Sequence, residues 1–181
     1  ILLTFFMLLG IAFLAYYYTA MKSVPVRLKY YGNPGHKVQP FSFINQEGKT
    51  ITEKDLDGKI YVVEYFFTTC KGICPKMNAN MRRVFDAYKE EENFMILSHS
   101  CMPETDSVPL LKAYEAKMIN GKLVKNEDGS YKIEYDTAVY RQRPVINPNW
   151  NFLTGDKKAL YKMARQGYMI DNNKPDSMQN I

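Results

Sequence analysis

The chain opens with an unbroken apolar run. Residues 1–20, ILLTFFMLLGIAFLAYYYTA, contain no charged side chain. About 20 helical residues span roughly 30 Å, the thickness of a bilayer's hydrocarbon core. Tyr16, Tyr17 and Tyr18 close the run where an interfacial aromatic belt belongs, and Lys22 follows. The pattern predicts a single N-terminal transmembrane helix. A cleavable signal peptide is the competing reading, and the run is too long for such a segment's apolar core. Residues 21–39 then read as a tether, broken up by Pro25 and Gly32-Asn33-Pro34-Gly35 and showing no helical period.

Residues 40–181 carry the pattern of an α/β domain. Phe41, Phe43 and Ile44 lead into the turn Gln46-Glu47-Gly48-Lys49, and Thr50-Ile51-Thr52 returns as a hairpin. Residues 60–68, IYVVEYFFT, are apolar on both faces apart from Glu64, which predicts a central strand covered on both sides. Pro75 suits the first position of a helix over 76–92, with Met77, Met81, Val84, Phe85 and Tyr88 as its packing face. A short buried strand over 94–98, a loop over 99–106 and a helix over 108–118 follow. This strand–helix–strand–helix order implies a parallel sheet with right-handed crossovers. Residues 119–148 leave that rhythm and read as an inserted surface hairpin, Leu123-Val124-Lys125 against residues 131–135 around the turn Glu127-Asp128-Gly129. The core resumes with a strand and turn at 151–155 and a helix at 157–166, and 171–181 is a polar, structureless tail.

Composition narrows the partners. The 181 residues hold 24 Lys+Arg against 19 Asp+Glu, a net charge of +5, with 46% hydrophobic residues, which excludes a disordered or disulfide-stapled chain. The excess charge is spread out with no Lys/Arg block of the kind that tracks phosphates, so nucleic acid is not expected as a partner. Mean hydropathy is −0.36 despite the apolar opening, so the remaining residues, about 160 of them, are distinctly polar and suit one domain. Lys22, Arg27, Lys29 and Lys37 follow the span. Taken alone, they favour a cytoplasmic domain. Because the chain opens on Ile, a preceding flank is expected to be missing, which leaves the charge comparison across the span one-sided.

Cys70 and Cys74 are the sharpest chemical signal. They stand four apart at a strand-to-helix junction, with Cys74 expected at the N-cap, where unpaired N–H groups and the helix dipole favour thiolate. Two such thiolates close as a disulfide or clamp one soft metal ion, and soft sulfur donors select Cu(I). Buried structural cysteines are the alternative, against which their place on a loop before Pro75 argues. Cys70, nearer the exposed end, is the better nucleophile. His99 lies at a strand's C-terminal end, where open α/β sheets place ligands, or is an ordinary loop histidine. Cys101 reads more readily as a small buried residue than as a third thiol of the site, and His36 as a solvated tether residue. Glu104 and Asp106 are expected to cap the following helix rather than act as an acid–base pair.

The segment Phe66-Phe67-Thr68-Thr69-Cys70-Lys71-Gly72-Ile73-Cys74-Pro75 closely resembles the active-site signature of the SCO/SenC family, in which three residues separate the cysteines and Pro follows. Phe41-Ser42-Phe43, Gly48-Lys49 and Asp57-Gly58-Lys59 resemble its opening hairpin, SHSCMPETD at 98–106 its strand-end segment, and WNFLTG at 150–155 its later strand. The resemblance runs over about 38–168, interrupted by the insertion. It implies a thioredoxin-like fold on one membrane anchor, with the domain facing the periplasm or another extracytoplasmic space. It also implies a copper ion held by Cys70, Cys74 and one histidine, and a role in assembling the copper A centre of cytochrome c oxidase. That histidine lies in the family beyond the WNFLTG-like segment. Here no histidine follows His99, and the final strand pair is missing, so the chain is expected to be a fragment cut at both ends rather than a variant without the third ligand, with His99 the one stand-in. The expected partners are the membrane, the copper-bearing oxidase subunit or another copper acceptor, and a thiol–disulfide reductant. A copper chaperone is expected before an enzyme. The rival readings are an extracytoplasmic thiol–disulfide oxidoreductase or thiol peroxidase, in which Cys70 attacks and Cys74 resolves, and a tethered module that binds a partner through its hairpin.

Overall fold

Leu2–Lys22 forms one helix, α1, in the computed structural model, which describes residues 2–22, 32–140 and 144–170. Its window Leu2–Thr19 has a mean hydropathy of 1.8 and is long and apolar enough to cross a membrane. Its described apolar side chains are exposed, Leu3 to 84%. The hydroxyl of Thr19 donates back to the carbonyls of Ala15 (3.0 Å) and Tyr16 (2.9 Å), so even this polar group is satisfied within the helix. The chain divides into two units, Ile1–Pro34 and Gly35–Ile181. Arg27, Lys29, the Lys22 side chain, most of the expected tether and the 171–181 tail lie outside the described residues.

The second unit is built on three parallel strands in the order β3 (Ile60–Phe66), β4 (Phe94–Ser100), β7 (Trp150–Leu153). All seven residues of β4 are buried, because alternate side chains feed two separate cores. Phe94 and Ile96 join Phe66, Trp150 and Phe152 beneath α2 (Cys74–Tyr88) and α3 (Val108–Asn120). Met95 and Leu97 join Leu153 on the other face, covered by Phe41 and Phe43 and by Leu160 and Met163. The covering elements there are the hairpin β1 (Ser42–Ile44) and β2 (Thr50–Thr52), and α5 (Lys157–Lys162) with a π-turn over Met163–Gly167. β4 is therefore the central strand. The stretch at 60–68, read as central, is an edge strand among the described residues, with Ile60 69% exposed and Val62 and Val63 half-buried. Its apolar run reflects cover on both faces, a property that edge and centre share.

β7 is sealed on its outer side by side-chain mimicry of a strand. Gln46 accepts from the Phe152 N–H (2.8 Å) and donates to the Trp150 carbonyl (3.0 Å), while Ile44 and Thr154 exchange two backbone bonds of 2.9 Å.

The expected insertion starts later and packs tighter than a surface hairpin. Residues 119–120 still belong to α3, and β5 (Lys122–Lys125) pairs with β6 (Tyr131–Glu134). Ile133 packs on the core under α2, Arg83 stacks 4.4 Å from the Tyr131 ring, and Arg82 donates to the carbonyls of Met118 (2.7 Å) and Gly121 (3.1 Å). A Cβ at Gly121 would collide with Ile133 and the Lys117 carbonyl, so this close approach requires glycine. A single turn, α4 (Thr137–Tyr140), follows. His36 is not merely solvated: its Nε2 bonds the Gly167 carbonyl at 2.8 Å, and Val38 packs on the second core.

Candidate functional site

The loop from Phe67 to Ile73 leaves β3 and folds back on itself, the Cys70 N–H donating to the Phe67 carbonyl at 3.2 Å. Helix α2 starts one residue earlier than expected. Ile73 is its N-cap without a side-chain cap bond, Cys74 is the first helical residue and Pro75 the second, where a missing N–H still costs nothing. The N–H groups at the helix start therefore point to Cys70 and not to Cys74. The thiol of Cys74 donates to the Cys70 sulfur, and the backbone N–H groups of Cys74, Gly72 and Ile73 add to it, so Cys70 is held below the ordinary thiol pKa. Cys74 is buried, and burial together with that donated bond pushes it up to about 11. The two sulfurs are thus an unequal pair. Cys70, part-exposed, is the sulfur whose thiolate is favoured, and Cys74 is the one that keeps its proton.

Asp106 fixes this loop from beneath. It is buried, accepting from the Thr68 hydroxyl (2.6 Å) and N–H (3.3 Å) with one oxygen and from the Ser100 hydroxyl (2.5 Å) with the other. It does not cap α3, whose N-cap Ser107 makes no side-chain cap bond, and Glu104 lies on the surface in an ion pair with Lys157 at 3.0 Å. Both expected capping roles are corrected, since tying the loops at the two strand ends satisfies Asp106 more completely. Beside Cys70, a cleft of about 50 Å³ is lined by Thr68, Pro75, Asn78, Tyr114 and Lys117. Asn78 donates to the Tyr114 hydroxyl at 2.5 Å. Burial, then the nearby acidic groups Glu64, Cys74, Cys70 and Asp106, hold that phenol well above its usual range, so it stays neutral.

Glu64, which breaks the apolar run of β3, sits on the same face. One oxygen accepts from Ser98 (2.5 Å), which in turn accepts from the Trp150 indole (2.8 Å), and the other oxygen has no partner among the described residues. Burial raises its pKa to about 7. Its only sequence signal is a carboxylate inside a strand otherwise covered on both sides.

His99 goes to the opposite face. It is fully buried, stacked on Tyr65 (5.1 Å between centroids), edge-on to Phe43 (5.4 Å), and bonded through Nε2 to the Tyr168 hydroxyl (3.2 Å). Desolvation lowers its pKa to about 3. Among the described residues, no three His, Cys, Asp or Glu side chains converge as a metal-holding group. Cys101, read as a small buried residue, is half-exposed and within electrostatic reach of both other thiols.

A parallel three-stranded sheet with helices on both faces, presenting an unequal cysteine pair where its edge strand becomes a helix, defines a thioredoxin-like redox or metal-binding class of protein. The model of the SCO1/SenC family matches residues 31–126, just over half of the sequence, and the chain belongs to that family. It is 28% identical over 148 residues to the SCO1 protein homolog of Bacillus subtilis, covering 81% of this chain and 64% of that protein. It therefore spans less than two thirds of the length of the curated relatives it matches. Among solved structures it resembles BsSco, described as a member of the Sco family of cytochrome c oxidase assembly proteins with a disulfide switch. The TM-score is 0.54 at 28% identity, over 85% of this chain and 77% of that one. It also resembles Arabidopsis thaliana ScoI with copper bound, with a TM-score of 0.50 at 25% identity, over 72% and 67% respectively.

Proposed function

We propose that this chain is a membrane-anchored copper-binding protein that supports assembly of the copper A centre of cytochrome c oxidase, with copper as its cargo. Residues 1–20 anchor it, 21–39 tether it, and the domain over 40–181 faces the periplasm or another extracytoplasmic space. The observation that carries this reading is the Cys70–Cys74 pair: two soft sulfurs on one loop, one already favoured as thiolate. It is supported by the kinship to BsSco, named for oxidase assembly, and to an Arabidopsis ScoI that holds copper. Cys70 takes the ion as thiolate. Cys74 must then lose a proton held up to about 11, so loading releases protons and weakens as pH falls. The disulfide form has no thiolate to offer, so a thiol–disulfide reductant resets the site. With two described donors, the ion keeps a position through which the oxidase subunit, or another acceptor, exchanges ligands.

A thiol–disulfide oxidoreductase or thiol peroxidase is the second reading. It is favoured by the inequality of the pair, with a part-exposed attacking sulfur and a buried resolving one. Titrating the reduced full chain in detergent with Cu(I) against a chromophoric chelator tests both. The expected result is about one Cu per reduced chain, none after oxidation, and loss in Cys70→Ser and in Cys74→Ser. Tight stoichiometric copper in the double Ser variant would sink the copper reading. Rapid turnover of a disulfide substrate without copper affinity would establish the second.

A further inference from the structure

We propose that Cys101 is a third exchanging thiol of this site, able to take over Cys70 from its partner and form a Cys70–Cys101 disulfide. The inference rests on the reading of Cys70 and Cys74 as a redox pair. Parallel pairing of Phe66 with Ser100 brings the next residue of β4's exit beside the exit of β3, and the Cys101 N–H donates to the Phe66 carbonyl at 2.7 Å. The adjacent residue, Phe67, is where the other two cysteines fold back. Its carbonyl accepts from the Cys70 N–H, and its own N–H is directed at the Cys74 sulfur. The three cysteines thus meet at the adjacent residues Phe66 and Phe67, and the Cys101 thiol lies within electrostatic reach of both others, although Cys101 is distant in sequence. Cys101 is also the more accessible of the two candidate partners, half-exposed where Cys74 is buried, and it is in no disulfide. Its backbone is held in place by the Tyr161 hydroxyl, which donates to its carbonyl at 3.2 Å.

The chemistry balances without an external electron acceptor once the pair is oxidised. The Cys101 thiolate attacks the Cys70 sulfur and an S–S bond forms between them. The Cys70–Cys74 bond breaks with its electron pair on Cys74, which takes up the proton that Cys101 gave up. The starting disulfide is made by a small-molecule disulfide such as oxidised glutathione, which leaves as two thiols. The exchange returns Cys74 to the free thiol while Cys70 stays oxidised. It gives the buried sulfur a route out of the disulfide that needs no reductant to reach it.

The sequence makes this directly testable, because trypsin places Cys70, Cys74 and Cys101 on three separate peptides, 60–71, 72–76 and 90–112. The reduced full chain in detergent is oxidised with oxidised glutathione, free thiols are blocked with N-ethylmaleimide, and linked peptides are quantified by mass spectrometry. Wild type is expected to show 60–71 linked mainly to 72–76, with a minor link to 90–112. In Cys74→Ser the 60–71/90–112 link should rise about tenfold, and in Cys101→Ser it should vanish while the pair still closes. A Cys74→Ser chain that yields only glutathione-capped Cys70 or intermolecular dimers, with no 60–71/90–112 peptide, overturns the proposal. Failure of wild type to link 60–71 to 72–76 instead refutes the redox-pair reading, so the two ideas fail separately.

Discussion

On one face of the sheet, Glu64, Ser98 and Ser100 reach toward α2, α3 and the cysteine loop, while on the other Met95, Leu97 and His99 reach toward the hairpin and α5. Both faces bury aromatic rings, and each holds strongly perturbed titratable groups, Glu64 on the first and His99 on the second among them. On the thiol face, polar side chains form chains of bonds that end at the loop carrying Cys70, through Ser100, Asp106 and Thr68. On the far face His99 ends at a tyrosine, with its Nδ1 unpartnered among the described residues. A perturbed pKa therefore marks burial on both faces and chemistry on only one. What separates them is whether the surrounding groups lead to the thiols.

The largest effects should come from cutting one anchor on each face. Asp106→Ala strands the buried hydroxyl of Ser100 and releases Thr68, and should cost about 3 kcal/mol. Leu160→Ala on the far face leaves a cavity and should cost a similar amount, about 3 kcal/mol. The distinction lies in the pH profile of Cys70 alkylation by iodoacetamide. Asp106→Ala should move its midpoint upward, because the loop no longer holds the helix-start N–H groups on the sulfur, and Leu160→Ala should leave it unchanged. Equal shifts in both variants would mean that the thiols respond to global stability and not to their own face.

The alternation of strands and helices is legible in the sequence because each element buries a face with its own period, and the pair Cys70–Cys74 because it is local. Parity is not legible. His99 stands where a strand-end ligand should, but one step along a strand reverses the face, and only the pairing of Glu64 with Ser98 reveals that the even-numbered positions of β4 face the thiols. The role of Asp106 is hidden for a related reason, since its partners, Thr68 from the loop after β3 and Ser100 from the end of β4, meet only once β3 and β4 are in register. Cys101 joins the thiols by the same register. The edge position of β3 is invisible too, because an apolar run reports cover above and below and says nothing about neighbours alongside.

Glu64 offers the next sharpest cut. Its folded pKa of about 7 lies above the ordinary carboxyl value of 4.5, so between those pH values the folded chain holds a proton that the unfolded chain has lost. Stability from this group is present in full below pH 4.5 and declines as pH rises through 7, by about 3 kcal/mol in total. Glu64→Gln keeps a partner for Ser98 and cannot ionise, so it should be neutral at pH 4.5 and stabilising by up to about 3 kcal/mol at pH 8. Denaturant melts at the two pH values check it. A variant equally stable relative to wild type at both would show that Glu64 is solvated in the folded chain.

His99 should give the smallest effect, and of the opposite sign with pH. Its folded pKa of about 3 lies below the ordinary 6.5, so the unfolded chain binds a proton that the folded one refuses. The folded state is unpenalised above pH 6.5 and loses stability as pH falls toward 3, which amounts to about 2 kcal/mol by pH 5. His99→Phe fits the space between Tyr65 and Phe43 and removes the unpartnered Nδ1, at the loss of one 3.2 Å bond to Tyr168. It should therefore be near neutral at pH 8 and stabilising by about 2 kcal/mol at pH 5. Copper affinity and the Cys70 alkylation midpoint should not move, because the ring faces away from α2 and no described group links it to either sulfur. Loss of copper in His99→Phe with its stability intact would show that the face assignment is wrong and that His99 reaches the metal after all.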